Sequence, residues 1–140
     1  MPKMIFVNLP VRDLTASSAF YVALGGTVNP QFSNEDAVCV MFSDAIGVML
    51  LTHAYYGGFT KRPIGDARTS SQALIALSAE SRDDVDSIVN RAAAAGGTAD
   101  PDPVQDLGFM YNRHVEDPDG YVWEVMWMDP SAVDGGAQTD

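Results

Sequence analysis

The chain repeats itself. Ala-Leu-Gly-Gly-Thr at residues 23–27 returns as Ala-Ala-Gly-Gly-Thr at residues 94–98. In each copy an apolar strand (residues 5–11, then 73–79) leads into a polar helix start, an apolar helical stripe and a Gly-Gly stop, and further strands follow. This order predicts two tandem βαβββ modules and therefore an α+β fold.

The modules are joined by a connection without periodicity. We place the first module at residues 1–56, the connection at 57–71 and the second module at 72–129, and we expect residues 130–140 to form a flexible tail because they have little to bury. With 140 residues, 46% of them hydrophobic, the chain is long enough to close one core. The two modules are therefore expected to form a single domain.

The charge balance excludes some partners. Nineteen acidic against eight basic residues give a net charge of -11, a field that repels nucleic-acid phosphates and anionic lipid headgroups. No apolar run is long enough to span a bilayer, and the first residues run into a strand without a signal-peptide core, so we expect no membrane partner and a cytoplasmic protein. The single Cys39 can form no internal disulfide and is expected to be a buried, inert thiol.

Two motifs resemble a known family. Phe-Tyr at residues 20–21 with Leu-Gly at 24–25, and Asp-Pro-Asp-Gly-Tyr-Val-Trp-Glu at 117–124, resemble the vicinal-oxygen-chelate superfamily, which includes glyoxalase I, bleomycin-resistance proteins, fosfomycin-resistance transferases and extradiol dioxygenases. The resemblance covers residues 4–129 and is closest to the small bacterial predicted lactoylglutathione lyases. It implies a curled, cup-shaped mixed β-sheet with the helices outside, a small-molecule ligand in the cup, and a homodimer.

The resemblance also assigns four positions to metal ligands. In this sequence they fall on Phe6, Leu50, Leu74 and Glu124, of which only Glu124 has a side chain that can bind a metal. One carboxylate among three hydrocarbons does not supply the oxygen or imidazole donors that a divalent cation needs. We therefore predict that the chain binds a divalent metal weakly or not at all, and we predict no cofactor.

Glu124 and His114 are the predicted catalytic residues. Glu124 lies in a very apolar strand, where a carboxylate is costly unless it faces a wet pocket or a counter-charge; an ion pair with Arg113 across the hairpin is the alternative. Histidine is suited to proton transfer near neutral pH. A four-residue hairpin loop pairs His114 with Trp123, whereas a five-residue loop pairs it with Glu124, and one step of slip reverses the face.

Further residues are predicted to bind the ligand. Asn8 shares a strand face with Phe6, and its amide can both donate and accept a hydrogen bond; Gln72, which precedes Leu74 by two residues, can serve the same role. The resemblance adds Asn112, pointing into the cup. We expect Asn8, His114 and Glu124 to face one cavity roofed by residues 55–71. The predicted substrate-binding set is Asn8, Phe6, Asn112, Leu50, Leu74 and Gln72.

Three functions follow from this interpretation. The first is a glyoxalase-type enzyme, a carbon–sulfur lyase or isomerase acting on a thiol conjugate or a vicinal oxygen compound, with Glu124 as general base and His114 as its partner. The second is a non-catalytic protein that sequesters an antibiotic or metabolite in the cup. The third is a structural or regulatory dimer whose pocket is vestigial.

Overall fold

The computed structural model describes residues 2–132, so most of the predicted tail, from residue 133 onward, lies outside the described residues. The first module ends in a short helix that falls at the border of the stretch interpreted as connection. Its elements are β1 (Ile5–Val11), α1 (Leu14–Ala23), β2 (Thr27–Asn29), a 3-10 turn (Pro30–Phe32), β3 (Ala37–Met41), β4 (Ile46–Thr52) and α2 (His53–Tyr56).

The second module repeats the βαβββ order with one additional short strand. Its elements are β5 (Ile75–Ser78), α3 (Arg82–Ala94), β6 (Thr98–Ala99), β7 (Gln105–Asp106), β8 (Met110–Glu116) and β9 (Val122–Met128). Among residues 2–132 no helix is long and apolar enough to cross a membrane.

The two long helices begin and end where the sequence supplies caps. The side chain of Asp13 accepts a hydrogen bond from Ala16 N at the start of α1, and Ser81 accepts one from Asp84 N at the start of α3. Both side chains satisfy an amide of the first turn that has no partner within the helix. Beyond α3, Gly96 has a φ of 108°, a conformation that costs other residues energy.

The strands form two mixed sheets with the same topology. The order is β1-β4-β3-β2 in the first sheet and β5-β9-β8-β6 in the second, with β7 beside β8. In each sheet the first strand of the module runs parallel to its last strand. Neither sheet closes into a barrel within residues 2–132. The predicted α+β class with duplicated modules is confirmed.

Each sheet packs one face, which we call its helix face, against a long helix, and the two helix faces share one core. The Trp123 ring of β9 lies 5.6 Å from the Tyr21 ring of α1 and 5.7 Å from the Phe42 ring that follows β3. Since the modules meet through their helix faces, the opposite faces, which we call the far faces, point away from each other.

A buried polar cluster fastens α1 to the β8–β9 turn. The Tyr21 hydroxyl donates to Asp117 Oδ2 at 2.5 Å and accepts from Trp123 Nε1 at 3.0 Å. Asp119 accepts from the Ser17 hydroxyl at 3.3 Å. Burial raises the pKa of Asp117 to about 6, although three hydrogen bonds to its carboxylate act in the opposite direction.

Candidate functional site

The β8–β9 hairpin decides which face His114 shares. Five residues, 117–121, lie between the last paired residues, so His114 stands opposite Glu124. The turn fixes this length because Asp117 Oδ1 accepts from the backbone N–H groups of Asp119 and Tyr121 at 2.9 and 2.8 Å, and Gly120 has a φ of 103°. Of the two registers that the sequence allows, the five-residue loop is the one formed.

His114 lies between two carboxylates on the far face of the second sheet. Its Nε2 is 3.1 Å from Glu124 Oε1, and its Nδ1 is 2.8 Å from Asp102 Oδ2. A carboxylate accepts hydrogen bonds, so His114 can donate to both carboxylates only when each of its ring nitrogens carries a proton. The Nε2–Oε1 distance is short enough for a proton to pass between His114 and Glu124.

Sequence reasoning missed Asp102. This residue lies in the segment between β6 and β7, within Asp-Pro-Asp-Pro at residues 100–103, and nothing in the local pattern relates it to His114, twelve residues later. Backbone pairing brings it close, because Asp100 N donates to the His114 carbonyl at 2.9 Å. Only the tertiary path of this segment places Asp102 beside the histidine.

The alternative interpretation of Glu124 as a partner of Arg113 is wrong. Arg113 alternates onto the helix face, where it contacts Asp86 at 3.0 Å and Asp100 at 2.8 Å. Hydrogen bonding to Asp100, followed by that to Asp86, raises the pKa of Arg113 above its ordinary value. With this arginine engaged elsewhere, the hydrogen-bond partner of the Glu124 side chain is His114.

The structure corrects the placement of Leu50. Leu50 pairs with Leu9 on the helix face and is 0% exposed within the shared core, so it cannot line a cup on the far face. In the second sheet Glu124 pairs with Ala76, which lies two residues after Leu74. In the first sheet the residue two after Phe6 is Asn8, and it pairs with Met49. The residue of β4 that is equivalent to Glu124 is therefore Met49. The alignment from sequence was therefore one residue out on β4.

Asn8 does not face a common cavity with the catalytic candidates. Asn8 lines two cavities, of about 380 and 640 Å³, and neither is lined by His114 or Glu124. The larger one lies under the connection and includes Gln72, while Phe6 is a half-exposed far-face residue of β1. The predicted single cavity is thus wrong for one chain, because the two far faces point apart.

Two other predicted residues do lie on the far face of the second sheet. Asn112 precedes His114 by two residues and stands opposite Met126; it is 7% exposed, and its Oδ1 has no hydrogen-bond partner among the described residues. Leu74 lies just before β5 and is 53% exposed. Asn112, His114 and Glu124 therefore belong to one surface.

The residues present do not fit a divalent metal. Within residues 2–132 no three His, Cys, Asp or Glu side chains are placed to hold an ion. Asp102 and Glu124 bind opposite nitrogens of one imidazole ring, so they cannot share a metal. Cys39 is buried, as predicted, and burial raises the pKa of its thiol above the ordinary value. We derive no metal-dependent step.

Comparison with known proteins gives the family. The chain matches the model of the Glyoxalase/Bleomycin resistance protein/Dioxygenase superfamily over residues 3–125. Comparison with curated proteins gives no significant match.

Among solved structures, the fold is similar to the hypothetical protein SA1046 from S. aureus (26% identity, TM-score 0.73, 91% of this chain and 95% of that chain). It is also similar to a glyoxalase-related enzyme from Fulvimarina pelagi (21% identity, TM-score 0.73, 91% of this chain and 88% of that chain). A third similar structure is the fosfomycin resistance protein FosX from Listeria monocytogenes (16% identity, TM-score 0.65, 94% of this chain and 97% of that chain). With the family model covering both modules, the chain belongs to the Glyoxalase/Bleomycin resistance protein/Dioxygenase superfamily.

Proposed function

We propose that the protein is a small-molecule lyase or isomerase that moves a proton at a carbon next to vicinal oxygens, without a metal. The observation that carries this proposal is the Nε2–Oε1 distance of 3.1 Å between His114 and Glu124, with Asp102 behind the ring. A base held by a second proton carrier, which is itself oriented by a third group, is a recurring arrangement in enzymes that transfer protons.

The chemistry follows from the atoms present. Glu124 takes a proton from the substrate C–H, and the electron pair of that bond moves onto the adjacent carbonyl oxygen. Once Glu124 is protonated, its hydrogen bond from His114 weakens because the carboxylate charge is gone, so an N–H on Nε2 can donate to the developing oxyanion instead. Transfer of the enediolate hydroxyl proton to the former carbonyl oxygen, with return of the Glu124 proton to that former carbonyl carbon, completes an isomerisation. Departure of a β-substituent such as a thiolate, which then takes the proton from Glu124, completes an elimination.

We propose further that two copies of the chain complete each cup. In one chain the far face of the second sheet lies open, with Leu74 half exposed and the Glu124 side chain 27% exposed. A homodimer would place the far face of the partner's first sheet, which carries Phe6 and Asn8, over this surface. Light scattering should then give twice the chain mass of 15.0 kDa, and a monomer at micromolar concentration would contradict the dimer.

Proton transfer can be tested without knowing the natural substrate. Hydroxyacetone in D₂O, with EDTA present, should exchange its C–H protons faster with the protein than without it, as followed by proton NMR. E124Q keeps the shape and removes the base, so it should reduce the exchange by at least about 100-fold. E35Q is the matched control, since Glu35 is an exposed residue of the turn before β3, in the first module. Full exchange by E124Q would refute the mechanism.

Sequestration without catalysis is the second candidate. The observation that favours it is the hydrocarbon and thioether character of Phe6, Leu74 and Met49, which leaves the cup with few side chains that can act as an acid or a base. A protein of this kind would bind ligands on the far face but would give no exchange above background, in the wild type as in E124Q.

A further inference from the structure

Two neighbouring residues of β8 hold the segment between β6 and β7 from opposite faces of the sheet. Arg113 binds the Asp100 carboxylate on the helix face, and His114 contacts the Asp102 carboxylate on the far face. The Asp100 N–H also donates to the His114 carbonyl at 2.9 Å. The segment therefore runs beside β8 with one carboxylate on each face, and the contact on one face bears on the contact on the other.

The contact between Arg113 and Asp100 is a fork. Nε of the guanidinium donates to Oδ1 at 3.0 Å, and Nη2 donates to Oδ2 at 2.8 Å. Two parallel hydrogen bonds fix the orientation of a carboxylate as well as its distance. Arg113 is buried, so this pair is screened less by salt than an exposed pair would be. The fork thus determines where the Asp100 side chain points.

Helix α3 holds the guanidinium in place. Asp86 Oδ1 accepts from Nη1 of Arg113 at 3.0 Å, and Asn90 Oδ1 accepts from Nη2 at 3.3 Å. Asp86 and Asn90 are four residues apart and therefore lie on one face of the helix. Since α3 packs into the shared core, Arg113 links Asp100 to a fixed part of the fold.

Asp100 needs this support because its backbone is strained. Its φ is 55°, and within residues 2–132 it is the one residue other than glycine with a positive φ. The Cβ atom makes this conformation costly, and a residue keeps it only where its surroundings hold it there. Pro101 and Pro103 fix φ on either side of Asp102, so few paths remain for the segment once Asp100 is set.

We infer that Arg113 is a positioning residue for the candidate site: it holds Asp100 in the left-handed conformation and thereby places Asp102 against Nδ1 of His114. The inference rests on the proposed function, in which His114 and Glu124 carry the proton. The Arg113 side chain points to the opposite face of the sheet, so it acts on the imidazole through residues 100–102. An arginine with a merely structural role would stabilise the packing of α3 on β8 and leave the His114 ring unaffected.

The ring signals of His114 test this inference without a substrate. The chain has two histidines, so His53, in α2, is an internal reference in ¹H–¹⁵N spectra of the imidazole rings recorded near neutral pH. D102A removes the acceptor at Nδ1 and defines the His114 signal that lacks it. R113M removes the fork and should move the His114 signal toward its position in D102A, while the His53 signal stays. An unchanged His114 signal in R113M would overturn the inference.

Two double variants separate the strain at residue 100 from the loss of charge. R113M/D100G and R113M/D100A remove the same two charges, but glycine adopts a φ near that of Asp100 freely and alanine does not. The glycine variant should therefore return the His114 signal toward that of the wild type, and the alanine variant should not. Identical signals in both would refute the role of the backbone. If R113M fails to fold, D100G and D100A give the same comparison with Arg113 still bound to Asp86.

R82M is the matched control. Arg82 forms a second fork from α3 to the same stretch of chain, with distances of 2.9 and 2.6 Å to the Asp106 carboxylate, but it does not contact Asp100. R82M should therefore leave the His114 signal in place. An equal shift in R82M and R113M would show that any anchor of the stretch serves, and would overturn the specific role of Arg113.

Hydroxyacetone exchange is a separate readout. R113M should exchange at least about tenfold more slowly than the wild type, because displacing a catalytic group by about 1 Å removes much of its effect, and R113M/D100G should recover part of the rate. Full exchange by R113M would contradict a role in the reaction. If the His114 signals behave as expected but the wild type shows no exchange, the proposed catalysis fails and the positioning of Asp102 by Arg113 stands.

Discussion

Replacing Asp117 with asparagine should remove a pH dependence from the stability of the fold. Burial raises the pKa of Asp117 to about 6 in the folded chain, against an ordinary value of 3.8. Between these two values the folded state binds more protons than the unfolded state, so the free energy of unfolding falls as pH rises. From the two pKa values, this group makes the wild type about 1.3 kcal/mol more stable near pH 5 than near pH 7.

The assay is urea unfolding near pH 5, 6 and 7 at one protein concentration, since association would otherwise change the apparent stability. D44N is the matched control, because it removes the same charge from an exposed turn. Wild type and D44N should gain stability on acidification by similar amounts, and D117N should gain less by about 1 kcal/mol. If D117N and D44N have equal pH slopes, the argument from the buried carboxyl is wrong.

Three further substitutions test the core. Tyr21→Phe leaves the buried Trp123 indole N–H and one carboxylate oxygen without their partner and should cost about 2–4 kcal/mol in urea unfolding. Leu50→Ala should lower the free energy of unfolding by about 3 kcal/mol and leave hydroxyacetone exchange unchanged; loss of exchange at unchanged stability would show that Leu50 lines the cup after all. Gly97→Ala puts a Cβ 2.5 Å from the Phe20 ring and 2.7 Å from a backbone carbonyl, so its melting temperature should fall; an unchanged value would contradict this packing.

The duplicated pattern was sufficient to predict the modules because it depends on local chemistry. Capping side chains and Gly-Gly stops lie next to the helices they bound, and strand periodicity follows from which face is buried. The extra strand β7 and the short helix α2 were missed: Gln105–Asp106 and His53–Tyr56 are only two and four residues long and carry no clear period. Such short elements form where the rest of the fold places them.

The site was predicted incompletely for the same physical reason. Strand alternation predicted the face of Glu124, the resemblance predicted that of Asn112, and the hairpin alternatives for His114 were limited to two, of which one is formed. The hydrogen bonds from backbone N–H groups to Asp117 in the turn determine that the five-residue loop forms. The position of Asp102 depends on the tertiary pairing of its segment with β8. The face of Leu50 depends on the register of β4 to within one residue. Neither is determined by local sequence spacing or hydrophobicity.

The shared core also determines what happens when the chain is cut. Alone, each module would expose its helix face to water. The two modules are also joined by hydrogen bonds, from the Tyr21 hydroxyl to Asp117 and from Arg91 Nε to the Ala23 carbonyl at 2.6 Å. Proteolytic cleavage within residues 57–71 would therefore produce two fragments that remain bound to each other. Expressed separately, each half should be unstructured, and mixing should restore the native fold by fragment complementation, with the connection contributing only proximity.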